Sequence, residues 1–90
     1  MTSDAPMPAT DPKIEQTIFA LLERRDASAS ICPSEVARAL ASSDTAWRAL
    51  MPAVRRVAAK LAAKGALRVT RGEDEVDATS PGGPVRLRRP

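Results

Sequence analysis

Few residues in this sequence could do covalent chemistry. The chain has one cysteine, Cys32, and no histidine. The absence of imidazole excludes His-based general acid–base catalysis and a Cys/His zinc site. Ser34 and Glu35 lie close to Cys32, but Ser, Pro and Glu are also ordinary residues of a first helical turn. We therefore expect a non-enzymatic protein with no metal and no cofactor, in which Cys32 is a small buried residue.

Basic residues are the second group with a chemical role, and their distribution is uneven. Between Thr45 and Gly72 there are seven basic residues and no acidic one, whereas the rest of the chain has seven basic and eleven acidic residues. Such an asymmetry indicates an oriented surface for a polyanion. Five of the seven are candidates for nucleic-acid contact: Arg48, Arg55, Arg56, Lys60 and Lys64. Arginine can bind guanine bidentately and lysine can neutralise phosphate. The alternative is a solvated face that only keeps a small domain in solution.

The elements that would position these residues begin with two helices. Asp11 can cap a helix whose first residue is Pro12, and an apolar stripe at helical spacing carries that helix to about Arg25. Residues 30–32 are too short and apolar for a helix and predict a small strand. A second, short helix is predicted from Pro33 to about Ala41.

The stretch from Thr45 to Lys64 is periodic throughout, with Pro52 inside it. Proline is disfavoured in a helix interior, so we expect a one-turn helix around residues 47–50 and a main helix that begins near Pro52. Gly65 would end the main helix. Its predicted buried face consists of Val54, Val57, Ala58 and Leu61. The basic residues would point away from that face, and Trp47 would join the core.

After Gly65 the periodicity changes to two, which predicts strands at residues 67–70 and 85–88 with a loop at 72–84. The fold class is thus α+β, a winged helix-turn-helix with three main helices, a short strand after the first and a C-terminal two-stranded β-wing. We interpret residues 1–10 as a flexible tail and 11–89 as one domain. The loop is acidic, since it contains Glu73, Asp74, Glu75 and Asp77.

Three segments of the sequence resemble a bacterial family called domain of unknown function 3253. The segments are ICPSEVARAL at 31–40, the pattern WRxLMxxVRRxAxxLAxxG at 47–65, and GPVRL at 83–87. The resemblance extends over about residues 14–89 and implies a winged-helix fold. It implies no biochemical activity, and no binding residue can be transferred from it.

Three functions remain open on these grounds, one of which is a small RNA-associated domain. The first is a DNA-binding module, a transcriptional regulator or accessory factor that contacts double-stranded DNA with its third helix. The second is a protein-interaction module whose acidic wing contacts a basic partner. The arginines at 86, 88 and 89 would be either a second backbone anchor or an ordinary basic tail. A lone thiol and the lack of a 20-residue apolar run or a secretory signal predict a cytoplasmic protein without membrane association. The sequence does not fix the oligomeric state.

Overall fold

The computed structural model describes residues 10–80 and 82–90, which form three helices and four short strands. The elements are α1 (Asp11–Glu23), β1 (Ser30–Ile31), α2 (Pro33–Leu40), α3 (Asp44–Ala63), β2 (Arg68–Arg71), β3 (Asp74–Glu75) and β4 (Arg86–Arg88). The predicted α+β class is confirmed, with three helices and the short strand after the first. The predicted tail at 1–10 lies outside the described residues except for Thr10.

None of the helices within residues 10–80 and 82–90 combines the length and the apolar character that crossing a bilayer requires.

The start of α1 differs from the expected one by a single residue. Thr10 is the cap, and its Oγ1 accepts a hydrogen bond of 3.3 Å from the backbone N–H of Lys13. Asp11 is therefore the first helical residue, and the expected Asp11 cap is wrong. Threonine and aspartate are both preferred at the N-cap position, so local preference does not predict which of the two residues occupies it. Asp11 instead places its carboxylate near α3.

Helix α3 is continuous through Pro52, so the expected break is wrong. Its apolar stripe explains why, because Trp47, Leu50 and Met51 pack against the same core as the residues beyond Pro52. A break would move one half of the stripe off the core. The carbonyl of Arg48 loses its usual donor, but Arg48 and Pro52 are both exposed and water can replace that donor.

Gly65 terminates the C-terminal end of α3, as predicted. This glycine has a φ of +78°, which L side chains rarely adopt. The N–H of Ala66 donates to the carbonyl of Leu61 at 2.9 Å, and that of Gly65 to Ala62 at 3.0 Å. These two bonds are those of a Schellman motif, which turns the chain sharply towards β2.

The core lies between the helices and one face of the sheet. All four predicted core residues of α3 are buried, and they pack with Ile14, Ile18 and Leu22 of α1. On the sheet side, a row of buried aliphatic residues runs across three strands in register: Ile31 pairs with Leu87, and Leu87 with Val69. The core is thus built from aliphatic side chains, and Phe19 and Trp47 lie only at its edge.

The sheet contains one strand that the sequence did not predict. Its order is β1-β4-β2-β3, and β2 and β3 form a hairpin closed by Gly72 and Glu73. Gly72 has a φ of +64° and Glu73 has a negative φ, the combination that a type II′ turn requires. Strand β3 consists of Asp74 and Glu75, residue types depleted in strands, so propensity gives no signal for it.

The buried stripe of α3 leads to a first prediction. Leu61 is 3% exposed, so Leu61→Ala should lower the free energy of unfolding by about 2–5 kcal/mol. Lys60→Ala, on the exposed side of the same turn, should change it by less than about 0.5 kcal/mol. Urea denaturation of both variants measures the difference. Equal losses would contradict the assignment of the two faces.

A second prediction concerns Pro52. Proline in a helix interior costs roughly 3 kcal/mol, and its restriction of the unfolded chain returns about 0.4–1 kcal/mol. Pro52→Ala should therefore raise the free energy of unfolding by about 1–3 kcal/mol. Pro12→Ala is the matched control, because Pro12 lies in the first turn of α1, where a missing N–H loses no intrahelical bond. Thermal melts that show no gain for Pro52→Ala would mean that the helix bends there without cost.

Candidate nucleic-acid interface

The corner between α2 and α3 fixes the direction of the basic helix. The two helices pack against each other and are separated by only three residues, 41–43. The side chain of Ser43 caps α3 by accepting a hydrogen bond of 3.1 Å from the N–H of Ala46. The side chain of Glu35 caps α2 by accepting one of 2.7 Å from the N–H of Cys32. The helix-capping role inferred for Glu35 is thus confirmed, and both helix starts are defined by local hydrogen bonds.

Trp47 lies at this corner, half-buried at the edge of the core. Its Nε1 donates a hydrogen bond of 3.3 Å to Oδ1 of Asp44. The guanidinium carbon of Arg38 lies over the indole ring at 4.5 Å from its centroid, and that of Arg48 at 5.1 Å. Trp47 therefore packs against the core, as expected, and its ring also orients two exposed arginines.

The five candidate residues do not form one patch, because they separate into two groups on α3. Arg56, Lys60 and Lys64 lie on the side that faces the start of α1. Arg56 is 3.2 Å from the Asp11 carboxylate, and Lys60 is 3.3 Å from it. Lys64 lines a small depression with Asp11 and Lys60. Arg56 and Lys60 therefore share a carboxylate that lies 45 and 49 residues away from them in the chain, and it partly neutralises this group.

Hydrogen bonds from Arg56 and from Lys60 lower the pKa of the Asp11 carboxyl below its ordinary value. Asp11 is ionised at neutral pH, as an ordinary aspartate is, so the contact with the two cations is present there. A depressed pKa also means that the contact's contribution to stability is lost only as the pH falls through the folded-state pKa. These side chains are largely exposed, so that contribution is small.

Arg48 and Arg55 form the second group, on the side of α3 that faces the chain after β3. They line an open groove of about 440 Å³ together with Met51, Pro52 and Thr79. Arg55 is only partly exposed, and its Nε is shielded from solvent without a hydrogen-bond partner among the described residues. The rotation of α3 thus places Arg55 at the wall of this groove.

The far wall of that groove is a turn held by Asp77. Its Oδ1 accepts a hydrogen bond of 2.7 Å from the N–H of Thr79, and the Thr79 hydroxyl also donates to it. The hydroxyl bond and then the backbone bond lower the pKa of the Asp77 carboxyl. This carboxylate therefore has a structural role, and Ala78 beside it is buried in the core.

Several basic residues outside α3 form hydrogen bonds to other parts of the domain. Arg86 donates to the Oγ and carbonyl of Ser30, at 2.9 and 3.0 Å, and Arg89 donates to the carbonyl of Leu22 at 2.9 Å. Arg71 donates to the carbonyls of Ser80 and Gly83. Arg86 and Arg89 thus tie β4 to β1 and α1, so neither belongs to a free basic tail.

The four acidic residues of the predicted loop also lie in different environments. Glu75 is paired with Arg68 at 3.4 Å, and Asp77 holds its turn. Glu73 and Asp74 are exposed at the tip of the β2–β3 hairpin. Of the four carboxylates, these two remain to face an approaching partner.

Sequence reasoning missed two residues of this surface. The sequence pattern assigns Asp11 only a capping role, and it gives no signal for Arg38 of α2. The ring of Trp47 brings Arg38 to Arg48, and the packing of α1 on α3 brings Asp11 to Arg56. No local pattern signals contacts between residues so far apart in the chain.

The Asp11 contact gives a third prediction. The carboxyl of Asp11, followed by ¹³C NMR during an acid titration, should titrate below the ordinary aspartate range. Combined Arg56→Gln and Lys60→Gln should raise its midpoint towards the ordinary value, because the donors that stabilise the charged form are removed. Lys64→Gln, which removes a nearby cation without a hydrogen bond to Asp11, is the control. A midpoint that the double substitution leaves unchanged would contradict the contact.

Comparison with known proteins gives one finding. A family model described as a protein of unknown function, DUF3253, matches residues 11–90, so it covers all the described elements. No curated protein matches the chain. Because the family match spans far more than half of its length, the chain belongs to the DUF3253 family.

Proposed function

We propose that this chain is a winged-helix module that binds double-stranded DNA, with α3 as the helix that enters the major groove. The order of its elements supports the proposal: a helix, a short strand, two helices joined by a three-residue turn, and then a hairpin. In a helix-turn-helix the second of the paired helices lies in the groove. Here that helix is α3, the most basic element of the chain.

The observation that carries the proposal is the charge of the exposed side of α3. After Asp44 the helix has no acidic residue of its own, and it has four basic ones. Small residues, Ala59 and Ala63, separate the long basic side chains. A helix with such a surface can approach a groove closely, with arginine reading guanine and lysine neutralising phosphate. The opposite side of α3 is the buried stripe, so the basic side is the one available to a ligand.

The two basic groups would meet DNA under different conditions. Arg56 and Lys60 must exchange Asp11 for a phosphate, whereas Arg48 has no carboxylate within 4 Å among the described residues. The exchange of one anion for another contributes less binding free energy than the neutralisation of a free cation does. We expect the weaker contribution from the Asp11 side. The proposal also places the protein in the cytoplasm, where the thiol of Cys32 stays reduced.

A protein-interaction module remains the second candidate because of the exposed tip of the β2–β3 hairpin. Glu73 lies in the turn and Asp74 on the edge strand β3, one side of which has no partner strand among the described residues. Such an acidic edge would repel phosphate and attract a basic partner.

A fourth prediction tests the DNA proposal. Affinity for a fluorescein-labelled 20-base-pair duplex, measured by anisotropy, should fall steeply as salt rises, because bound cations release counterions. Replacing Arg55, Arg56 and Lys60 together by Ala should reduce the slope of log K against log[salt] by roughly two to three, since each lost phosphate contact removes about 0.9. The fold should persist, because these side chains lie outside the buried stripe.

The matched control replaces Lys13, Arg24 and Arg25 by Ala. These residues are exposed on and just after α1, and their loss changes the net charge equally. The control should keep most of the slope of the unmodified protein. If both triple variants lose affinity alike, binding depends on net charge alone and not on α3. A protein that binds no duplex at 20 mM salt would reject the DNA proposal and favour the protein-interaction module.

A further inference from the structure

We propose that Arg38 and Arg48, held over the ring of Trp47, form a clamp for a phosphodiester group of the DNA backbone at the corner between α2 and α3. The inference rests on the proposed DNA-binding function and makes it more specific. It adds Arg38 of α2 to the interface and identifies the side of α3 where the backbone is held.

The geometry of the clamp follows from Trp47. The guanidinium carbons of Arg38 and Arg48 are 4.5 and 5.1 Å from the centroid of the same ring. The ring itself is fixed, because it packs against the core and its Nε1 donates to Asp44. Two side chains from different helices are thereby oriented on one rigid support.

Packing against an aromatic ring orients an arginine for binding to phosphate. A guanidinium over a ring uses its face, so the N–H donors at its edges stay available for bidentate hydrogen bonds to phosphate oxygens. The contact also restricts a side chain that would otherwise lose much of its rotamer entropy on binding. A clamp whose arginines are already oriented therefore binds a phosphate at lower entropic cost.

The charges around the clamp favour an incoming anion. Both guanidinium carbons lie near one ring, so they are within about 10 Å of each other, which is a Debye length at 0.1 M salt. A phosphate that accepts hydrogen bonds from both would relieve their repulsion. Within residues 10–80 and 82–90, neither arginine lies within 4 Å of a carboxylate oxygen. The carboxylate of Asp44 also lies at this corner, where its Oδ1 accepts the hydrogen bond from Trp47.

The clamp is continuous with the groove beside α3. Arg48 belongs to both, since it also lines the groove with Arg55 and Thr79. The backbone of one strand could therefore pass from Arg38 over Arg48 to Arg55. This path lies on the side of α3 away from Asp11, where no exchange of ion partners is needed.

The experiment compares two double variants of the full chain. Arg38→Gln with Arg48→Gln removes the clamp, and Lys13→Gln with Arg24→Gln removes the same charge from α1. The probe is a labelled 20-base-pair duplex, titrated at several salt concentrations. The clamp variant should lose at least about tenfold in affinity at 0.1 M salt and about two units of salt slope, whereas the α1 variant should lose little of either.

Two further measurements test the orientation by Trp47. Arg38→Lys with Arg48→Lys keeps the charge but replaces the planar groups, so the salt slope should stay near that of the unmodified protein while the affinity falls several-fold. Trp47 is the only tryptophan, so its fluorescence reports on the clamp directly. Duplex should change this fluorescence in the unmodified protein and not in the Gln variant. Thermal melts confirm that each variant is folded.

The results separate the two proposals. If the Gln clamp variant binds duplex as tightly as the α1 variant while the α3 triple variant is impaired, DNA binding stands and the clamp is wrong. An unchanged Trp47 fluorescence in the presence of saturating duplex would also overturn the clamp. If the unmodified protein binds no duplex at low salt, the DNA-binding function itself is rejected.

Discussion

The structure depends on one apolar stripe, that of α3. Val54, Val57, Ala58 and Leu61 are buried against α1, α2 and the sheet, so α3 is the element on which the others assemble. Because the core contains no buried aromatic side chain among the described residues, its stability comes from many aliphatic contacts. The loss of such contacts lowers the free energy of unfolding. The same stripe fixes the rotation of α3 about its axis, and that rotation decides which basic residues face solvent.

The consequence for function is a division of the basic surface. One rotation places Arg56 and Lys60 beside Asp11 of α1, and it places Arg48 and Arg55 beside the turn that contains Thr79. The basic residues of this helix thus lie in two different environments. One environment contains a carboxylate, and the other contains none among the described residues. Electrostatic attraction to a polyanion depends on the charge that is not already neutralised, so the two sides of α3 are not equivalent.

Arginines in this small domain differ in their roles. Arg71, Arg86 and Arg89 donate to backbone carbonyls and hold β4 and the preceding loop in place, which offsets the small size of the sheet. Arg38 and Arg48 make no such hydrogen bond among the described residues and lie over a ring instead. A count of basic residues cannot distinguish these roles, because it contains no information about their hydrogen-bond partners.

Local sequence patterns predict the α+β class, the three helices, the strand after α1, the buried stripe of α3 and the stop at Gly65, because periodicity and capping are local properties. The remaining features arise from contacts between distant segments of the folded chain. Pro52 stays within a helix because both halves of α3 pack on one core, which outweighs a local preference. Strand β3 forms from two acidic residues because β2 offers a free edge. Asp11 and Arg38 join the surface through contacts between distant segments, and such contacts exist only once the chain has folded.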